Sequence, residues 1–154
     1  MCKRLSLIMT KEINEFFSIF ELECKKVNIS KEKIEKTKTY LEPILKKSKI
    51  IEWFFVFGPF PPNYPEIILD CFILTNKFLY DCEFKGKEPS EPLIHMISLR
   101  EIINIDESVE KNIIIATAHA SSLGGINIID SLKNRDNLEK FVNQIRSQLI
   151  EQES

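Results

Sequence analysis

EIILDCFILTNKFLYDCEF, residues 66–84, decides the fold. Two runs rich in β-branched and aromatic residues flank a polar turn, Thr75-Asn76-Lys77, where Asn tolerates the dihedrals of a tight hairpin. A turn centred on Asn76 and Lys77 sets Leu74 opposite Leu79, Ile73 opposite Tyr80 and Cys71 opposite Cys82. Alternation then divides the side chains between two faces. One face carries Ile67, Leu69, Cys71 and Ile73 with Phe78, Tyr80, Cys82 and Phe84, a complete core face. The other sets Ile68, Phe72, Leu74 and Leu79 among Asp70, Asp81 and Glu83, and is too apolar to be left to solvent. That second face predicts a cover, and the helices expected before it are the candidate.

Upstream, Thr10 is placed to cap a helix whose residues Ile13, Phe16, Phe17, Phe20, Cys24 and Val27 recur at three- and four-residue spacing. Ser30 caps a second helix with Ile34, Tyr40, Leu41, Ile44 and Leu45 on its apolar side, and Pro43 kinks it or ends it early. From Ile50 the period becomes that of strands. Ile50–Phe57 is the first, the proline-rich loop 58–65 follows, and the hairpin comes next. Further strands are expected at 93–99, 102–106, 112–119 and 126–132, separated by 85–92, by 107–111 and by a Gly124-Gly125 turn. Leu138, Phe141, Val142, Ile145 and Leu149 then stripe a helix capped by Asn134 or Asp136 and able to plug one end of the β structure. The reading is mainly β with flanking helices: an N-terminal helical extension, residues 1–49, packed on a seven-stranded domain, residues 50–154.

Composition bounds the function. A chain of 154 residues with 44% hydrophobic and 29% charged residues is an ordinary globular domain, long enough to bury roughly 70% of its unfolded surface. The net charge of −2 hides an asymmetry: residues 1–49 hold 12 Lys/Arg against 7 Asp/Glu, and the rest hold 9 against 16. Lys11 and Glu12 interrupt the first apolar run and Glu52 the run 50–60, so neither an export signal nor a membrane span is expected. The four cysteines, at 2, 24, 71 and 82, and the two histidines, 95 and 119, lack the spacing of a metal site. Cys71 and Cys82 read as reduced core residues of a cytoplasmic protein.

The order of helices, seven strands and one C-terminal helix, with ILTNKFLY, ISLREIINID and NLEKFVNQIRSQL as its marks, resembles the pleckstrin-homology-like superfamily. It is most similar to the bacterial PH and GRAM-type domains, over Ile50 to Glu151. The resemblance implies a seven-stranded barrel or sandwich capped by a C-terminal helix. It also implies a phosphoinositide site with Lys and Arg around the first loop, and the chain departs there: 54–73 contains neither residue.

No phosphate-binding loop, dinucleotide fingerprint, nucleophile elbow or zinc-protease string is present. His119 stands beside Ser121 and Ser122 with no orienting acid implied, and Asp81-Glu83 and Asp106-Glu107 read as the solvent face of strands or turns. Phe60 and Tyr64, on a stiff proline loop, are the candidate contacts for a partner or a membrane, and Lys46, Lys47 and Lys49 those for an anionic partner. The expected role is a non-catalytic interaction or self-association module with no cofactor, no metal and no nucleic acid. Peripheral membrane association through the 58–65 loop and the basic helices is the alternative, and a small-molecule or enzymatic role the third.

Overall fold

The computed structural model describes residues 2–60, 66–86, 91–121 and 124–153, with side chains from residue 13 onward. Helices α1 (Cys2–Lys26) and α2 (Lys31–Leu45) precede strands β1 (Ile50–Phe57), β2 (Ile67–Thr75), β3 (Phe78–Lys85) and β4 (Leu93–Ser98). Strands β5 (Ile102–Glu110), β6 (Ile113–Ala120) and β7 (Gly124–Ser131) and helix α3 (Arg135–Glu153) complete the chain. The strands form two antiparallel sheets, β1-β2-β3-β4 and β5-β6-β7. They are layered as a sandwich and are not closed into a barrel.

The hairpin has the expected register, with Leu74, Ile73 and Cys71 opposite Leu79, Tyr80 and Cys82. Its turn works by another mechanism than the expected one. Asn76 is not among the residues with positive φ. Instead Thr75 Oγ1 accepts the amides of Lys77 at 3.2 Å and Phe78 at 2.9 Å, and Asn76 Oδ1 accepts the Lys49 amide at 2.9 Å. The Asn76 amide returns a bond to the Lys49 carbonyl at 2.9 Å, so the turn is clamped to the entry of β1.

Several boundaries move. Helix α1 runs through Thr10 from Cys2, and it ends where Asn28 takes φ 61°, the left-handed conformation that lets Ile29 N–H reach the Cys24 carbonyl at 3.1 Å. Ser30 caps α2, accepting the Lys33 amide, and the helix ends at Leu45, two residues past Pro43. Tyr40 lies off the buried stripe of Ile34, Thr37, Leu41 and Leu45. Strand β5 continues to Glu110 through the segment expected as a separator, and Gly124 and Gly125 belong to β7, not to a turn.

The four-stranded sheet is buried on both faces, with the assignment reversed from expectation. The wholly apolar face, Leu69, Cys71, Ile73, Tyr80, Cys82 and Phe84, lies under Phe16, Phe20 and Leu41 of the N-terminal helices. The mixed face turns inward, where Val56, Phe72, Leu74 and Leu79 pack against Ile114, Ile128, Phe141 and Ile145 of the second sheet and α3. The aromatic stripe of α1 has no polar group to offer, so it fits the face that needs none; each fully buried Phe contributes roughly 1.5–3 kcal/mol of transfer free energy. The carboxylates of the mixed face consequently lie between the two sheets.

Candidate functional site

Two concave regions flank the four-stranded sheet. The first is an apolar groove of about 620 Å³ between α2 and the β3–β4 edge. Ile94 and Met96 pair across the ladder with Cys82 and Tyr80 and so lie on the helix-covered face. The helices stop short of them: Met96 is 50% exposed, and Tyr40 on the facing side of α2 is 57% exposed. Phe78, Tyr80 and Ile44 form the rest of the wall, and Lys47 and Lys77 stand at the rim. Neither lysine has an ion-pair partner among the described residues. Strand β4 ends the sheet order, so its outer edge pairs with no strand among the described residues.

The second is a cleft of about 430 Å³ between the β3–β4 end of one sheet and β7 of the other, lined by Glu66, Asp81, Glu83, Lys85, His95, Gly125 and Asn127. Behind it the register sets Asp70 opposite Glu83, and Phe72 opposite Asp81, so the three acids share the inward face. One oxygen from each of the three lies within 4.8 Å of the others. Asp70 is 3% and Asp81 4% exposed, and no hydrogen bond reaches the Oδ1 atom of either. Burial is the first cause that pushes both carboxyls up, Asp70 to about 7. Each carboxyl also acts on the other, lowering Asp70 and raising Asp81 further, so that with no cation bound Asp81 is the proton holder of the pair. Lys85 Nζ is 3.5 Å from Glu83.

The residues nominated by sequence scatter. Phe60 is 9% exposed and packs in the core between the sheets, because an aromatic ring beside Val56 gains more from burial than from display. Tyr64 lies outside the described residues. Lys46 pairs with Glu42 at 3.0 Å on its own helix, Lys47 reaches the groove rim, and Lys49 is exposed, its backbone engaged by Asn76. Asp81 is buried, against the expectation of a solvent face. His119 does have an acid, with Nε2 2.9 Å from Asp106 Oδ2 across the β5–β6 ladder, but both side chains are exposed and Ser122 lies outside the described residues.

Burial pushes the Cys71 and Cys82 thiols well up, and Cys24, whose thiol is pushed up to about 12 first by burial, joins them in the core under α1. All three are free thiols packed as small apolar side chains. No helix among the described residues is long and apolar enough to cross a membrane. No protein-family model matches the chain, and no curated protein matches it.

Sequence reasoning missed both regions. Tyr40 reads as a member of the apolar stripe of the second helix and Met96 only as a position in an expected strand, and the fold leaves both half-exposed. The one signal for the cleft was the mixed hairpin face, whose three acids in register were visible but whose direction was not.

Proposed function

We propose that the chain is a pleckstrin-homology-like, non-catalytic interaction module that docks a segment of a partner protein in the groove between α2 and β4. The observation that carries this reading is the uncovered apolar groove, with Lys47 and Lys77 at its rim and the outer edge of β4 beside it, the lysines without ion pairs and the edge without a pairing strand among the described residues. An extended segment adding to that edge would satisfy its own backbone on β4 and set alternate side chains into the groove. The rim lysines favour carboxylates flanking those apolar anchors. The occupant is therefore an apolar strand-forming segment bordered by Asp or Glu. The succession of a four-stranded sheet, a three-stranded sheet and a C-terminal helix supports the superfamily reading.

The test is selection from a displayed peptide library on the full chain. Selected peptides are expected to alternate apolar residues and to carry acidic flanks. Met96→Asp is expected to weaken them by about tenfold or more, and Lys47→Glu is expected to reduce the salt dependence. Peptides that bind Met96→Asp as well as the parent protein, or no selection at all, sink the proposal. Light scattering and sedimentation with neutral and anionic vesicles run beside it: a discrete oligomer broken by Met96→Asp makes a second copy the occupant, and salt-sensitive vesicle binding favours the membrane instead.

A further inference from the structure

We propose that Asp70, Asp81 and Glu83 form a binding site for one hard divalent cation, of the Mg²⁺, Mn²⁺ or Ca²⁺ class, at the inner end of the cleft between the sheets. The three carboxylates come from adjacent strands held in register, and one oxygen of each lies within 4.8 Å of the others, the separation that oxygens around a single ion adopt. The cluster is more than a set of acids. Asp70 and Asp81 are over nine-tenths buried, and no donor group of another described residue reaches the Oδ1 atom of either. An orphaned buried oxygen costs about 1–3 kcal/mol, more when charged, and a cation between the two removes that cost.

The charge count agrees with this. A cation entering the site takes the place of the proton that Asp81 holds, and three carboxylates then stand against one ammonium, Lys85, 3.5 Å from Glu83, a surplus of two negative charges that a divalent ion matches. Every donor in the cluster is oxygen, a donor set that suits hard cations. Asp81 and Glu83 line the cleft of about 430 Å³, which gives an entry path and room for the waters that complete the coordination. The site fastens β2 to β3 on the side that faces β7, apart from the groove of α2 and β4.

Mn²⁺ titration of the full chain, freed of metal with a chelator and followed by electron paramagnetic resonance of the free ion, tests this. One Mn²⁺ per chain is expected, displaced by Ca²⁺ or Mg²⁺. Asp81→Asn is expected to lower affinity by about tenfold or more. Glu83→Gln, at a partly exposed position that leaves the core intact, is expected to do the same without a change in circular dichroism. No saturable binding up to millimolar Mn²⁺ overturns the site. So does an affinity left unchanged by Glu83→Gln, even if Asp81→Asn fails to fold.

Discussion

Burial raises the Asp70 carboxyl to about 7 and holds a proton on Asp81, so in the absence of a cation these acids set a pH dependence opposite to that of ion-paired surface carboxylates. The native state keeps the Asp70 proton between about pH 4 and pH 7, whereas the unfolded chain releases it near its ordinary value. The native state thus binds more protons across that window, and its stability falls as the pH rises through it. Urea unfolding in chelator is expected to lose a few kcal/mol between pH 5 and pH 7.5. Asp70→Asn, which keeps the shape without the charge, is expected to make the profile shallower while Asp81 keeps its own share of the slope; an unchanged slope in that variant would place the dependence elsewhere. The cross-strand partners of these acids were legible in the sequence, since turn and alternation alone give Cys71 opposite Cys82. Their burial was not. Alternation separates two faces without saying which meets helices and which meets a second sheet, and that choice rests on residues far along the chain, such as Ile114, Ile128 and Phe141.

Among the elements, the β2–β3 hairpin and its neighbours depend on a few short-range devices that can be removed one at a time. Asn76 is legible as a turn residue, but its partner Lys49 lies 27 positions back, and only the finished sheet brings them together. Asn76→Ala removes the acceptor for the Lys49 amide and is expected to cost about 1 kcal/mol in thermal or urea unfolding, with the register kept. Gly125 reads in sequence as half of a Gly-Gly turn, yet it is paired with His119 inside the β6–β7 ladder. The reason for glycine there is close approach: a Cβ would stand 2.3 Å from the Ala118 carbonyl oxygen. That oxygen is backbone and cannot swing aside, so Gly125→Ala is expected to destabilise by about 1–3 kcal/mol through displacement of the two strands. Amide exchange should locate the loss in β6 and β7, and a variant as stable as the parent would mean that the strands yield at little cost.

For the molecule as a whole, the four-stranded sheet is the shared wall of two cores, which makes the N-terminal helices part of the folding unit and not an appendage. Charge alone does not hold them. Residues 1–49 are basic and the remainder acidic, yet among the described residues the ion pair that joins the two is Lys36–Glu91 at 3.6 Å, with both side chains more than half exposed. Such a pair is worth about 0–1 kcal/mol. Apolar contact contributes more: Phe16 and Phe20 are fully buried, with rings 5.5–6.5 Å from those of Trp53, Phe55 and Phe84. Phe20→Ala is expected to cost about 3–5 kcal/mol, a large part of a total stability of roughly 5–15 kcal/mol. Removing residues 1–49 goes further and opens Leu69, Ile73, Tyr80 and Phe84 to water as one contiguous face. A fragment of residues 50–154 is therefore expected to aggregate or to bind hydrophobic dye, because an apolar face of that extent does not stay free in solution. If size-exclusion chromatography and urea unfolding instead find that fragment monomeric and as stable as the full chain, the helices contribute nothing to the second core. The groove they form with β4 would then be a product of loose docking and not a built surface.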